Sequence, residues 1–182
     1  MSSEQTTTYQ IYQPHPQEAA TYADFRKHTF VQQLVDANVS RDAAWEHTMY
    51  WGSSYLSAVG AWSSALRSGQ ESSDRYVRGV KGGNQLAGVF IAQHDSKYSY
   101  CLGDDYIELV QLIPQYQGQG IGTVLMRTFL DCSDKSAWLH VLEDNVQARK
   151  FYKERFGFEE MDNHPIEISD ERVNTILMRK TK

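Results

Sequence analysis

Cysteine and proline are scarce in this chain of 182 residues, which contains two of the former and four of the latter. The two cysteines, Cys101 and Cys132, lie far apart and neither has a second ligand at the spacing of a metal site. We therefore expect two reduced thiols, buried or half-buried, and no metal centre. No apolar run approaches the roughly 18 residues that a membrane span needs. Residues 1–10 contain neither a basic nor an apolar segment, so we expect no signal peptide, no membrane partner and a cytoplasmic location.

An excess of basic residues is absent as well. The chain has 18 Lys and Arg residues against 23 Asp and Glu residues, which gives a formal net charge of −5. This balance argues against a nucleic-acid partner, which a basic surface would bind, and is compatible with a cationic small molecule. The length favours a single domain, residues 1–182, of which we expect residues 1–7 to be disordered.

Hydrophobic periodicity and turn residues predict a mixed α/β fold. Strands joined through helices imply parallel pairs and hairpins imply antiparallel pairs, so we expect both. The predicted strands are Thr8–Gln13, Arg75–Val80, Gln85–Ala92, Tyr106–Ile113, Ser136–Leu142, Gly157–Met161 and Arg172–Met178. The predicted helices are Glu18–Val35, Asp42–Arg67, Ile121–Leu130 and Asn145–Arg155. The second helix is rich in aromatic residues (Trp45, Tyr50, Trp51, Tyr55 and Trp62), which either pack in the core or form a wall of a substrate pocket.

A glycine-rich loop, Gln115–Gly122, lies between a predicted strand and a predicted helix. This arrangement presents unpaired backbone N–H groups and a helix N-terminus to an anion. A Walker loop would need a lysine after the glycines, and none is present. A dinucleotide-binding fingerprint also fails, because its third glycine would fall on Thr123 or Leu125. The pattern that fits is Gln/Arg-x-x-Gly-x-Gly/Ala, read from Gln117 to Gly122.

A second motif, Asn145-Val146-Gln147-Ala148-Arg149-Lys150-Phe151-Tyr152, is followed by Gly157-Phe158. Together with the loop it resembles the GNAT superfamily of N-acetyltransferases, over about Tyr106 to Met161. The resemblance implies a single acetyltransferase domain with a GNAT-type mixed, largely antiparallel twisted sheet. Helices would cover both faces, and the sheet would splay open between its fourth and fifth strands. In the family the glycine usually comes four residues after the tyrosine; here it comes five after, so we expect an extended or bulged helix end.

The resemblance implies acetyl-CoA as cosubstrate and the residues that hold it. Its pyrophosphate would lie on the backbone of Gln117, Gly118, Gln119, Gly120, Ile121 and Gly122, beside Thr123. Its pantetheine arm would run along Leu112 and Ile113, and Asn145 would cap the following helix and contact the arm. Tyr152 would act as general acid to the CoA thiolate.

The base is less well defined by the sequence. Glu108 interrupts an apolar strand, where burial would raise its pKa, and a Glu at this strand position acts as base in several members of the family. The alternatives for Glu108 are a solvent-facing position or an ion pair with an arginine. His140 either relays protons or is a hydrogen-bonded, half-buried residue.

The predicted function is transfer of an acetyl group from acetyl-CoA to a primary amine by direct attack. A non-catalytic CoA-binding module and an acyltransferase for a longer acyl group, an alcohol or a peptide remain alternatives. The acceptor would meet Glu18–Arg67 and the hairpin at Lys81–Gln85, where a polyamine or small amine is favoured by acidic residues such as Asp24, Asp42 and Glu46. The sequence leaves open whether the chain forms a homodimer.

Overall fold

The computed structural model describes residues 8–36, 40, 55–71, 74–168 and 171–182. The described helices are α1 (Ala19–Asp36), α2 (Tyr55–Glu71), α3 (Ile121–Leu130) and α4 (Val146–Phe156). The strands are β1 (Gln10–Tyr12), β2 (Arg75–Gly82), β3 (Gln85–Gln93), β4 (Asp105–Leu112), β5 (Ala137–Leu142), β6 (Glu159–Asn163), β7 (Ile166–Ile168), β8 (Glu171–Val173) and β9 (Thr175–Lys180).

Seven of these strands form one sheet in the order β1-β2-β3-β4-β5-β9-β6, and β7 and β8 form a separate hairpin. Every neighbouring pair in the large sheet is antiparallel except β4 and β5, which are parallel. The parallel pair follows from the crossover through α3, which returns the chain to the same end of the sheet. The predicted mixed, largely antiparallel sheet is thus confirmed.

Helices pack on both faces of the sheet. We call the face covered by α1 and α2 the front face and the face covered by α3 and α4 the back face. The front core includes Tyr22, Phe25, Trp62, Leu66, Val77, Val89 and Ile91. The back core includes Phe90, Ile107, Ile121, Leu125, Phe129, Leu139, Phe156 and Phe158. Alternation of side chains along β3 explains the division, since Phe90 and Ile91 belong to opposite cores.

The sheet is splayed between β4 and β5, as predicted. Only three residue pairs join these strands, and the last of them is Ile107 with Leu139. Beyond this pair the strands separate, and we call the gap between them the opening. A bulge lies at the same level of β4, because Ile91 is paired with Leu109 and Ala92 with Ile107. Glu108 is therefore an extra residue in β4 at the start of the opening.

Several predicted elements differ from the structure. The first strand is shorter than Thr8–Gln13, and α2 continues past Arg67 to Glu71. Trp45, Tyr50 and Trp51 lie outside the described residues, as do Asp42 and Glu46. Trp62 packs on Tyr22 with ring centroids 5.4 Å apart, which favours the core role for this aromatic.

The C-terminal region contains two more strands than expected. Arg172–Met178 was predicted as one strand, but Asn174 divides it between β8 and β9, and β7 was not predicted.

The exposure of one cysteine also differs from the prediction. Cys101 is buried as expected, whereas Cys132 is exposed rather than buried or half-buried. Within the described part of the chain, no helix has the length and apolar character needed to cross a bilayer.

Candidate active site

A cavity of about 590 Å³ lies on the back face at the opening between β4 and β5. The end of β4 forms one wall, through Val110, Gln111 and Leu112. The glycine loop and the start of α3 form the second wall, and the third consists of the facing side of α4. The cavity therefore joins the two sequence motifs, which are separated in the chain by α3 and β5.

The glycine loop adopts a conformation that requires its glycines. Gly118 has φ 72° and Gly120 has φ 80°, values that residues with a Cβ rarely adopt. A Cβ built at either position would meet no atom within 4 Å, so both glycines border open space. The first helical hydrogen bond of α3 runs from the Val124 N–H to the Gly120 carbonyl. The amides of residues 121–123 precede it and are the donors that an anion can use.

The backbone amide of Gln117 differs from the amides of residues 121–123. Its N–H donates to the Pro114 carbonyl at 3.1 Å and closes a short 3-10 turn, so this amide is already used within the chain. Its side-chain amide lines the cavity and donates to the Leu112 carbonyl at 2.8 Å. The same turn packs against the end of β2, because the ring of Tyr116, a residue of the turn, occupies the space that a side chain at Gly82 would need.

The β4 edge presents backbone groups to the opening. The Ile113 N–H donates to the Ala87 carbonyl at 2.9 Å, on the β3 side. Successive amides of a strand point to opposite sides, so the N–H of Leu112 points away from β3 and into the opening. Leu112 is thus placed as expected, whereas Ile113 does not line the cavity.

Tyr152 is buried in the α4 wall of the cavity. Asn145 begins this helix, and its Oδ1 accepts a hydrogen bond from the Ala148 N–H at 3.0 Å, so the predicted cap is present. Gly157, with φ 73°, ends the helix, and the Phe158 N–H reaches back to the Tyr152 carbonyl at 3.2 Å. This glycine cap accommodates the additional residue, and β6 begins at Glu159 instead of Gly157. Burial raises the pKa of Tyr152 above its ordinary value, so its phenol keeps its proton at neutral pH.

Glu108 lies on the front side of the opening and does not line the cavity. Its Oε2 accepts a hydrogen bond from Arg75 at 2.7 Å, and only 13% of its side chain is exposed. Burial raises the pKa of Glu108, while the positive charges of Arg75 and Arg26 act in the opposite direction. The arrangement is a partly buried ion pair at a bulge, and an ion pair with an arginine is one of the alternatives that the sequence left open.

His140 lies across the opening from Glu108, immediately after the last β5 residue that pairs with β4. Its Nδ1 is 3.0 Å from the Tyr106 hydroxyl. Its Nε2 is buried and has no hydrogen-bond partner among the residues that the structure describes. Burial, with a smaller contribution from His164, lowers the pKa of His140 to about 4, so the ring is neutral at pH 7.

Aromatic rings surround His140 on the front face. We call this group the front cluster; its rings lie in mutual contact, with centroids 4.9 to 6.0 Å apart. The members are Tyr98, Tyr100, Tyr106, His140 and His164. They come from the β3–β4 connection, β4, β5 and the residue after β6, so only the fold brings them together.

Nine of the twelve site residues predicted from the sequence line the cavity, and Glu108, Ile113 and Gln119 do not. Gln119 donates its side-chain amide to the Gln115 carbonyl instead. Two arginines that the sequence interpretation missed, Arg127 and Arg155, also line the cavity. Helical spacing contained the signal, since Arg127 is seven residues after Gly120 and Arg155 is seven after Ala148.

Comparisons with known proteins identify the family from the sequence and support the fold from solved structures. The model of the acetyltransferase (GNAT) family matches residues 32–158. The PaiA N-acetyltransferase of Thermoplasma acidophilum, solved with coenzyme A, is 13% identical with a TM-score of 0.74, over 96% of this chain and 99% of that chain. A GCN5-related N-acetyltransferase of Rhodopseudomonas palustris is 15% identical with a TM-score of 0.66, over 100% and 99%. Arabidopsis thaliana NAA60, solved with a bisubstrate analogue, is 14% identical with a TM-score of 0.65, over 96% and 98%.

Proposed function

Because the chain belongs to the acetyltransferase (GNAT) family, we propose that it transfers the acetyl group of acetyl-CoA to a primary amine by direct attack. The observation that carries the proposal is the opening between β4 and β5. The cavity that Tyr152 lines lies beside this opening on the back face, and Glu108 and His140 lie at its start on the front face. A thioester and an amine can therefore approach each other from opposite sides of the sheet.

Acetyl-CoA is the cosubstrate of this family, and the cavity has the donors that its phosphates need. The amides of residues 121–123 begin α3, where the helix dipole favours negative charge by up to ~1 kcal/mol in an exposed site. Arg127 of α3 and Arg155 of α4 add positive charge to two walls of the cavity. The N–H of Leu112 faces the opening and can hydrogen-bond to an amide of the pantetheine arm or to the carbonyl oxygen of the thioester. The open space at Gly118 and Gly120 lets the phosphates reach the backbone.

The reaction needs a neutral amine, a donor for the oxyanion and a proton for the leaving sulfur. The amine nitrogen forms a bond to the thioester carbon, and the C–S bond breaks with its electron pair retained by sulfur. Tyr152 donates the proton to that sulfur, since its phenol is protonated at neutral pH and lies in the cavity wall. Deprotonating a lysine-like amine with a pKa of ~10.4 at pH 7 costs about 4.6 kcal/mol, so a base must act on the other side of the opening.

Two residues can accept the amine proton. Glu108 has a carboxylate at the bulge, although its hydrogen bond to Arg75 lowers its basicity. His140 offers the lone pair or the N–H of its buried Nε2, according to the tautomer set by Tyr106. We assign the base role to Glu108 and a proton relay to His140, because a neutral imidazole with a low pKa passes protons but binds them weakly.

The proposal is tested by combining binding with transfer. Coenzyme A and acetyl-CoA should raise the melting temperature, while NAD and ATP should not, since a ligand of the native state stabilises it by mass action. Mass spectrometry of an amine panel incubated with acetyl-CoA should then detect N-acetylated products. Binding without transfer to any acceptor would favour a non-catalytic CoA-binding module, and faster transfer from propionyl- or butyryl-CoA would favour a longer acyl group.

A further inference from the structure

We propose that the front cluster binds the acceptor, and that it selects a primary monoamine whose nitrogen lies next to a large apolar or aromatic group. Such an amine is either an arylalkylamine or the α-amine of a peptide that begins with an apolar residue. The inference rests on the proposed acetyl transfer and defines its acceptor more narrowly.

Strand register puts the front cluster at the front end of the opening. Ile107 and Leu139 form the last β4–β5 pair, and both side chains belong to the back core. Side chains alternate along a strand, so Tyr106 and His140 point to the front face on either side of this pair. Their 3.0 Å hydrogen bond spans the two strands where they begin to separate. An amine that reaches the opening from the front must pass these two residues.

The surface of the front cluster is aromatic and accessible. Tyr98 has 47% of its surface exposed and stacks on Tyr100 with an interplanar angle of 9°. Tyr100 contacts His140 and His164 with ring centroids 5.2 and 5.6 Å apart. Aromatic side chains of this kind bind flat apolar groups through offset or edge-to-face packing.

Among the residues that the structure describes, the charges around the front cluster do not favour a polycation. Glu108 lies at the bulge where the opening starts, and it is already paired with Arg75 while Arg26 adds a further positive charge nearby. His140 is neutral at pH 7. By register, Asp162 shares a row with Leu177 and His140, which puts it two strands, or about 10 Å, from His140. Its side chain is exposed, where solvent screens its charge. A monoamine with an apolar body fits this balance better than the polyamine expected from the sequence.

The test compares acceptors in steady-state kinetics at saturating acetyl-CoA. Phenethylamine represents arylalkylamines, and a short peptide with a free amino-terminal Phe represents α-amines. Spermidine represents polyamines, and an N-terminally blocked peptide with an internal lysine represents side-chain amines. We expect phenethylamine or the Phe peptide to have a kcat/KM at least about tenfold above that of both spermidine and the lysine peptide. The faster of the two shows whether the natural acceptor is an arylalkylamine or a peptide α-amine.

Variants connect that preference to the front cluster. Tyr98→Ala should raise KM for the preferred acceptor about 3- to 10-fold, with KM for acetyl-CoA unchanged. Tyr98→Phe should restore most of the acceptor affinity that Tyr98→Ala loses, because the ring is retained. Tyr9→Ala, at another exposed tyrosine, and Asp162→Asn, at the distant carboxylate, should leave the acceptor KM unchanged.

The outcomes separate this inference from the proposed function. Spermidine as the best acceptor, with its KM raised by Asp162→Asn, would overturn the monoamine assignment and leave acetyl transfer intact. An acceptor KM that Tyr98→Ala does not change would remove the front cluster from recognition. Acetyl-CoA binding with no transfer to any of the four acceptors would overturn both.

Discussion

The carboxylate of Glu108 and the guanidinium of Arg75 are 2.7 Å apart, and this pair lies at the bulge where β4 begins to separate from β5. The pair joins two strands that are not neighbours, since β3 lies between β2 and β4. Burial raises the pKa of Glu108 and Arg75 opposes that rise. Removing Arg75 therefore changes the basicity of Glu108 without altering the carboxylate itself.

Arg75→Gln should move the acidic limb of the kcat/KM profile to higher pH. Without the positive charge, the ionised form of Glu108 is less stable, so its pKa rises further and the base becomes active only at higher pH. The control is Arg75→Lys, which keeps the charge and should keep the limb close to its original position. Glu108→Gln should lower kcat about 100-fold or more and abolish the limb. A limb that stays in place in both Arg75→Gln and Glu108→Gln would assign the base to another residue.

Tyr152→Phe should lower kcat by roughly 10- to 1,000-fold with little change in acetyl-CoA binding. The substitution removes the phenolic proton but keeps the buried ring in the wall of the cavity. The measurements are kcat by detection of free CoA and the dissociation constant of acetyl-CoA by calorimetry. Tyr9→Phe, at an exposed tyrosine, is the matched control. An unchanged kcat in the Tyr152 variant would exclude this residue from proton transfer.

Gly120→Leu should weaken binding of acetyl-CoA, because the new side chain would stand between the backbone of α3 and a phosphate. Gly103 offers a matched control, since it also has φ 80° and no atom within 4 Å of an added Cβ, but it does not line the cavity. Both substitutions introduce the same backbone strain, so their effects on the melting temperature should be similar. Only Gly120→Leu should raise the dissociation constant of acetyl-CoA. Equal loss of binding in the two variants would mean that strain, and not the position of the glycine, is responsible.

The free energy of unfolding should fall as the pH is lowered from about 6.5 to about 4, in part because of His140. Its ring takes up a proton near pH 6.5 in the unfolded chain but only at about pH 4 in the folded protein. Proton uptake between these values therefore favours the unfolded chain. His140→Phe should make the stability less dependent on pH in this window, as measured by urea unfolding at pH 7 and pH 5. His28→Phe, at an exposed histidine, is the control, and an unchanged pH dependence in His140→Phe would show that His140 does not contribute.

Features set by neighbours in the chain were predictable from the sequence. The glycine loop, the Asn145 cap and the position of Tyr152 on its helix depend on residues within a few positions of one another, and the structure has all three. The splayed sheet followed from the resemblance to the family. Arg127 and Arg155 could also have been found from the spacing of seven residues along each helix.

Features set by pairing between distant segments were not predictable. Arg75 meets Glu108 across β3, and Tyr106 meets His140 across the β4–β5 junction, so neither contact has a local signal. The β7–β8 hairpin was missed for a related reason. Its three-residue strands are too short for a periodic pattern to be recognised in the sequence.

The short junction between β4 and β5 also affects how the molecule holds together. Three residue pairs connect these strands, whereas eight connect β2 with β3 and six connect β5 with β9. In the sheet itself, β1–β4 and the group β5, β9 and β6 are thus two half-sheets with a narrow hinge between them. A substrate that hydrogen-bonds to Leu112 on one side and rests against α4 on the other links both halves. When acetyl-CoA binds in the proposed way, we expect it to join the two half-sheets, so that unfolding of the complex is more cooperative than unfolding of the free protein.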